Sequence, residues 1–234
     1  MRRQTDRDEL ATYVLIPGAG GSAWAWHRVV PLLERRGHQV VAVDLPVSDP
    51  GAGYDEYVHA VLVAMGEPRH EVALVAISLG GIIAPIVAER TPVNRMVLVN
   101  AGVPRPGESA GQWLGEQNQA RAEHYRRLGL ELPPVFDPME AFYHDVPQRV
   151  IAEGMALGLP EPRFDTLFSQ PWPLPAWPRV PTRFLHGRDD RVIPLEFQRR
   201  IVHERLGLEV EELPGGHLLP LSQPKELVKR IEGS

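Results

Sequence analysis

Ser78, Asp190 and His217 supply a hydroxyl, a carboxylate and an imidazole, and each stands just beyond an apolar run of the chain. Those three group types can turn a serine into a nucleophile: the imidazole takes the hydroxyl proton as attack begins, while the carboxylate fixes the imidazole tautomer and stabilises the imidazolium. Ser78 closes the run Val72–Ile77, rich in small and β-branched residues, and is followed by Leu79, Gly80 and Gly81. This places it at a strand-to-helix joint, with the small Ala76 and Gly80 on either side allowing a tight turn that lifts the hydroxyl above the sheet. The amides that follow open a helix whose positive end can stabilise an oxyanion. Asp189 and Asp190 follow the run Thr182–Leu185, and His217 follows Leu208–Glu212 by way of Pro214, Gly215 and Gly216. Taken singly each has an ordinary alternative, as a helix cap, a solvated turn or a loop residue. Their order and their shared position after strands point to nucleophilic catalysis.

The elements that must position these groups alternate along the chain. Thr12–Ile16 reads as a strand, Pro17-Gly18-Ala19-Gly20-Gly21 as a glycine-rich loop, and Ser22 as the cap of a helix from about Trp24 to Arg36. A loop so poor in side chains exposes amides to a phosphate or to an oxyanion, but it lacks the lysine of a Walker loop and the spacing of G-x-G-x-x-G. A strand at Gln39–Val43, a helix at Tyr54–Met65, the Ser78 strand, a helix from Leu79 to Arg90 that Pro85 should kink, and a strand at Met96–Asn100 follow. The alternation implies an α/β fold, a mainly parallel sheet of about six strands with helices on both faces. In such sheets ligands sit at the carboxyl ends of the strands.

From Ala101 to Val180 the alternation fails. Helices are expected at about Gln112–Leu128 and Pro147–Leu157, the second capped by Asp145, ahead of a proline-rich segment from Pro171 to Pro178. This reads as a helical lid, about residues 103–180, inserted into a single domain, with Trp113, Phe142, Tyr143, Phe168 and Trp172 as candidate wall residues. A strand at Thr182–Leu185, a helix to about His203, a strand at Leu208–Glu212 and a helix at Pro224–Ile231 complete the chain.

The 234 residues carry a formal net charge of -5 and no long basic run, so nothing points to nucleic acid or to an anionic membrane. There are no cysteines, which removes disulfides, thiolate nucleophiles and cysteine metal sites together. Met1–Leu10 is charged and lacks an apolar core, so neither a signal peptide nor an anchor is expected, and a cytoplasmic location is the corresponding expectation. The chemistry outlined calls for neither cofactor nor metal.

Four pieces of the chain give it a family resemblance: Pro17 to Trp24, Ala76-Ile77-Ser78-Leu79-Gly80-Gly81, Gly187-Arg188-Asp189-Asp190 with Val192 and Pro194 behind it, and Gly215-Gly216-His217. In these it resembles the α/β-hydrolase superfamily from about Thr12 to the C-terminus, most weakly across Ala101–Val180. The resemblance implies Ser78 as nucleophile, His217 as general base, Asp190 as its orienting acid with Asp189 as the fallback, and the backbone amides of Ala19 and Leu79 as the oxyanion hole. The other place such folds put the acid is just after the strand ending at Asn100, where no carboxylate occurs before Glu108. Pro17, Ala76 and Ile77 depart from the commoner pattern of histidine, glycine and a polar residue. With its first strand at Thr12 the chain leaves no room for the hairpin that opens larger members, and in that it is similar to the small branch containing plant-type methylesterases and hydroxynitrile lyases. The lyases carry a lysine directly after the histidine, where this chain has Leu218, which argues against cyanohydrin cleavage. The expected activity is hydrolysis of a small carboxylic ester through an acyl-enzyme. A thioesterase, a non-catalytic ligand-binding protein and a lyase or cyclase on the same fold are the alternatives.

Overall fold

The computed structural model describes residues 10–133, 135–159 and 161–233; the N-terminal segment expected to be neither signal nor anchor falls almost wholly in 1–9, outside them. Six parallel strands form one sheet: β1 Ala11–Ile16, β2 Gln39–Ala42, β3 Glu71–Ile77, β4 Arg95–Val99, β5 Thr182–Gly187 and β6 Val210–Leu213, in the spatial order β2-β1-β3-β4-β5-β6. β3 is buried from Val72 to Ile77, as a continuous apolar run requires of a strand covered on both faces. Alternate residues feed two cores. Val14, Ile16, Leu74 and Ala76 face α2 (Tyr54–Met65), α3 (Gly80–Arg90) and α8 (Leu195–Leu206), while Tyr13, Leu15, Val75 and Ile77 pack with Trp26, Leu33 and Ile231 on the other face. Burying each such Val, Leu or Ile contributes about 1.5–3 kcal/mol.

The helix expected over Trp24–Arg36 is broken. Ser22 caps as anticipated, accepting from the Trp24 amide at 3.2 Å, but it opens only a short 3-10 turn at Ala23–Trp26, and α1 begins later, at Val30–Glu34. Pro31 explains the break, since it has no amide to donate and fits only the first turn of a helix, where it stands in α1. α3 runs from Gly80 to Arg90 with Pro85 inside it. No helix among the described residues is long and apolar enough to cross a membrane.

Between β4 and β5 the chain carries α4 (Ala110–Arg127), α5 (Pro138–Phe142), α6 (Gln148–Ala156) and α7 (Asp165–Ser169). Ser109 opens α4 with a capping box, accepting from the Gln112 amide at 3.1 Å while the Gln112 side chain accepts from the Ser109 amide at 2.8 Å. The nearly buried Arg205 of α8 ties this insert down, reaching Glu108 at 2.7 Å and Glu116 at 2.6 Å. Trp172 and Trp177 donate their indole N–H groups to the Ile82 and Pro104 carbonyls, both at 3.0 Å. Asp145 does not cap α6, whose N-cap is Pro147 with no side-chain bond. Its carboxylate accepts instead from the Gly216 amide at 2.7 Å. Two short helices close the chain, α9 at Leu219–Ser222 and α10 at Pro224–Glu232.

Candidate active site

Ser78 follows β3 directly and has φ 54°, the left-handed region that costs an L-residue about 1–2 kcal/mol. The turn is held on both sides: the Ser78 amide donates to Val99 O at 3.1 Å, and its carbonyl accepts from Gly81 and Gly102, each at 3.0 Å. The turn also needs close approach, because a Cβ at Gly80 would lie 2.6 Å from the Pro17 carbonyl oxygen. Ala76 takes the other small position within the buried strand. Among the described residues neither the Ala19 amide nor the Leu79 amide donates a hydrogen bond, so both remain available.

The Asp190 carboxylate is fixed from two directions. Its Oδ1 accepts from the Val192 amide at 2.7 Å and the Ile193 amide at 3.0 Å, and its Oδ2 lies 2.8 Å from His217 Nδ1. Burial pushes this carboxyl up, but the neighbouring His217 and its hydrogen bond, with His186 and the Ile193 amide, outweigh burial and hold it below the usual carboxylate range. Asp189, the fallback acid, is exposed and accepts from the Gly215 amide at 3.3 Å. His217 Nε2 is buried and has no partner among the described residues, and Ser78 Oγ likewise makes no hydrogen bond there. The imidazole therefore has one nitrogen bonded to a carboxylate and the other free to accept a proton.

β6 is separated from β3 by two strands, yet the His217 loop reaches back across that gap. Asn100, just past β4, donates its Nδ2 to His217 O at 2.7 Å and to Gly216 O at 3.1 Å, and its Oδ1 accepts from the Gly187 amide at 2.7 Å. Its neighbour Val99 holds the Ser78 amide, so one strand end carries both the serine turn and the histidine loop. The close packing of that loop on β5 also requires Gly187, where a Cβ would fall 2.4 Å from Gly216 O. Asn100, with φ 45°, is the residue that sequence reasoning missed. An asparagine ending an apolar strand, before Ala101 and Gly102, was the available signal.

A cavity of about 460 Å³ opens over Ser78, Ala19 and Leu79, walled mainly by the insert. Of the wall residues expected from the sequence, Trp113, Phe142 and Phe168 line it. Trp172 is instead buried where the insert meets α3, and Tyr143 packs with Val146 and Val150. Phe142 meets the His217 ring edge to face, with centroids 5.2 Å apart. A larger hollow of about 680 Å³ lies at the amino ends of β4 and β5 and touches none of these loops.

Known proteins resemble this chain over most of its length. The chain is 28% identical over 249 residues to a probable esterase of rice, Oryza sativa, covering 92% of this chain and 93% of that one. It is 28% identical over 246 residues to the alpha-hydroxynitrile lyase of Arabidopsis thaliana, again covering 92% and 93%. The crystal structure of polyneuridine aldehyde esterase superposes with a TM-score of 0.74 over 95% of this chain and 98% of that one; at 22% identity it speaks to the fold. The model of the alpha/beta hydrolase family matches residues 13–230, and the chain belongs to that family.

Proposed function

We propose that this protein is a serine hydrolase of small carboxylic esters. Ser78 is the nucleophile, His217 the general base, Asp190 the acid that orients it, and the Ala19 and Leu79 amides receive the oxyanion. The observation that carries the reading is the buried 2.8 Å bond from His217 Nδ1 to Asp190, which leaves Nε2 unpartnered in a loop tied to the strand end beside Ser78. Bonds between nucleophile and base are commonly long before substrate arrives and tighten in the complex.

In this reading the Ser78 oxygen attacks the ester carbonyl as His217 Nε2 takes the hydroxyl proton. The carbonyl oxygen, now an anion, moves into the reach of the two free amides at the start of α3 and in the glycine-rich loop. His217 returns the proton to the departing alcohol. Water then repeats the sequence on the acyl-enzyme, releasing the acid and restoring Ser78. The insert serves as a lid over the single hydrolase domain, and its rings wall the space for the acyl chain. Esterase names among the relatives support this choice of reaction.

An activated short-chain ester should give a burst of alcohol, and a fluorophosphonate should label the peptide bearing Ser78. Ser78→Ala should lower turnover by at least about a thousandfold while keeping the melting temperature of a folded protein. Unchanged hydrolysis in that variant would end the proposal.

A further inference from the structure

Among the described residues, the lining of the cavity over Ser78 contains one charged residue, Arg121. It belongs to a face of α4 on which Ala110, Trp113 and Leu114 are followed, at helical spacing, by Gln117, Asn118 and Arg121. The wall thus runs from apolar to cationic over a helical rise of about 16 Å. Arg121 is half-buried, its Nε is buried with no hydrogen-bond partner among the described residues, and burial lowers the guanidinium pKa against the smaller opposing effect of Tyr125. The acids of the adjoining crevice are engaged elsewhere: Asp137 caps α5 and Glu140 pairs with Arg191. The Phe136 ring covers one face of the guanidinium, whose carbon lies 4.6 Å from the ring centroid, and leaves the N–H edge open to a planar ligand.

A half-buried guanidinium whose Nε is cut off from water gains from an anion, and a planar carboxylate answers it with two parallel hydrogen bonds. We propose that the substrate is an ester bearing a carboxylate at the end remote from the scissile bond, such as a monoester of a dicarboxylic acid, and that Arg121 binds this carboxylate. The inference rests on Ser78 as the nucleophile. With a methyl half-ester, the Ser78 oxygen displaces methanol, which leaves with the proton from His217, and water releases the free dicarboxylate. The apolar stretch between Ser78 and Arg121 takes the methylene chain. A fixed cation at one end and a fixed nucleophile at the other give a rate that peaks at one chain length.

The test uses monomethyl esters from succinate to suberate against methyl alkanoates of matched length. Acetyl esters of ω-hydroxy acids form a second arm, which places the carboxylate on the alcohol side. Wild type should favour one of the charged series by roughly tenfold or more in kcat/KM, with a maximum at one length. Arg121→Gln should abolish that ratio and Arg121→Lys keep part of it, both variants melting as folded proteins. No preference for charged esters, or a preference that survives Arg121→Gln, overturns the inference. Calorimetry of a half-ester with Ser78→Ala separates this from the esterase reading. Binding weakened roughly tenfold by adding Arg121→Gln supports the Arg121 site even if wild type hydrolyses no ester, and equal binding rejects it even if wild type hydrolyses many.

Discussion

The strand-end loops and the wall of the cavity are built by opposite means. At the strand ends, buried polar groups are pinned by directional bonds: Asp190 accepts from two amides and His217, and the Asn100 side chain bonds to three backbone groups drawn from the end of β5 and the His217 loop. In the insert the wall is made of rings, with Phe164 stacked on Phe168 at 4.7 Å and Phe136 edge-on to Phe142 at 5.8 Å. Hydrogen bonds weaken steeply with misalignment, whereas apolar contact is proportional to area and nearly indifferent to direction. The first region can hold a few atoms where bonds are to break; the second can sort substrates by shape and still yield to them. Arg121 stands where these two styles meet, as a polar group set in the apolar wall.

If the difference is as described, substitutions should separate it. The largest effect is expected at Asn100. Asn100→Ala strands the Gly187 amide and the Gly216 and His217 carbonyls and puts alanine in a left-handed conformation. A loss of roughly 2–4 kcal/mol in denaturant unfolding should accompany a fall in kcat, and a variant with normal stability and rate would show that the strand end does not position His217. Asp145 joins the two regions, since the insert reaches Gly216 through it and Asp189 through His144 Nε2 at 3.1 Å. Asp145→Ala should cost about 1–2 kcal/mol and lower kcat more than it raises KM; a change confined to KM would place Asp145 with the wall instead.

The smallest effect concerns acid. Burial lowers the His186 pKa from its usual 6.5, so the folded protein keeps this ring neutral while the unfolded chain protonates it. Between the folded value and about 6.5 the unfolded chain binds the extra proton, and stability falls as pH falls through that window. Asp190, held below its usual range, adds a loss only in stronger acid, as pH drops through the carboxylate region. Urea midpoints from pH 7 to 5 should therefore decline less steeply in His186→Gln than in wild type, by at most about 1.4 kcal/mol per pH unit. Parallel slopes would assign the acid sensitivity elsewhere.

The sheet was legible because its strands are local signals: Val72–Ile77 is uninterrupted and apolar, and glycines mark where the chain turns. Ser78 could be placed at its turn for the same reason. The partners of His217 and Asp190 were legible through chain order and family resemblance, since nothing local joins residues 27 positions apart. Pro31 announced a break that helical periodicity concealed, and its rule is local too. Asp145 and Asn100 were not legible. A carboxylate two residues before Pro147 looks like a cap from sequence, and only the folded chain brings Gly216, 71 positions on, into its reach. Arg121 is one of several arginines on a polar helix, and only packing shows that it lines a cavity with its Nε buried.

The bonds of Asn100 also bear on how the chain is made. Its amide waits for carbonyls 116 and 117 positions downstream, which leave the ribosome long after it does. A product terminated before His217 would keep that amide buried and unanswered, with α10 also missing from its sheet face. Premature fragments should therefore be poor folders and ready prey for proteases, and no half-finished hydrolase would persist in the cell.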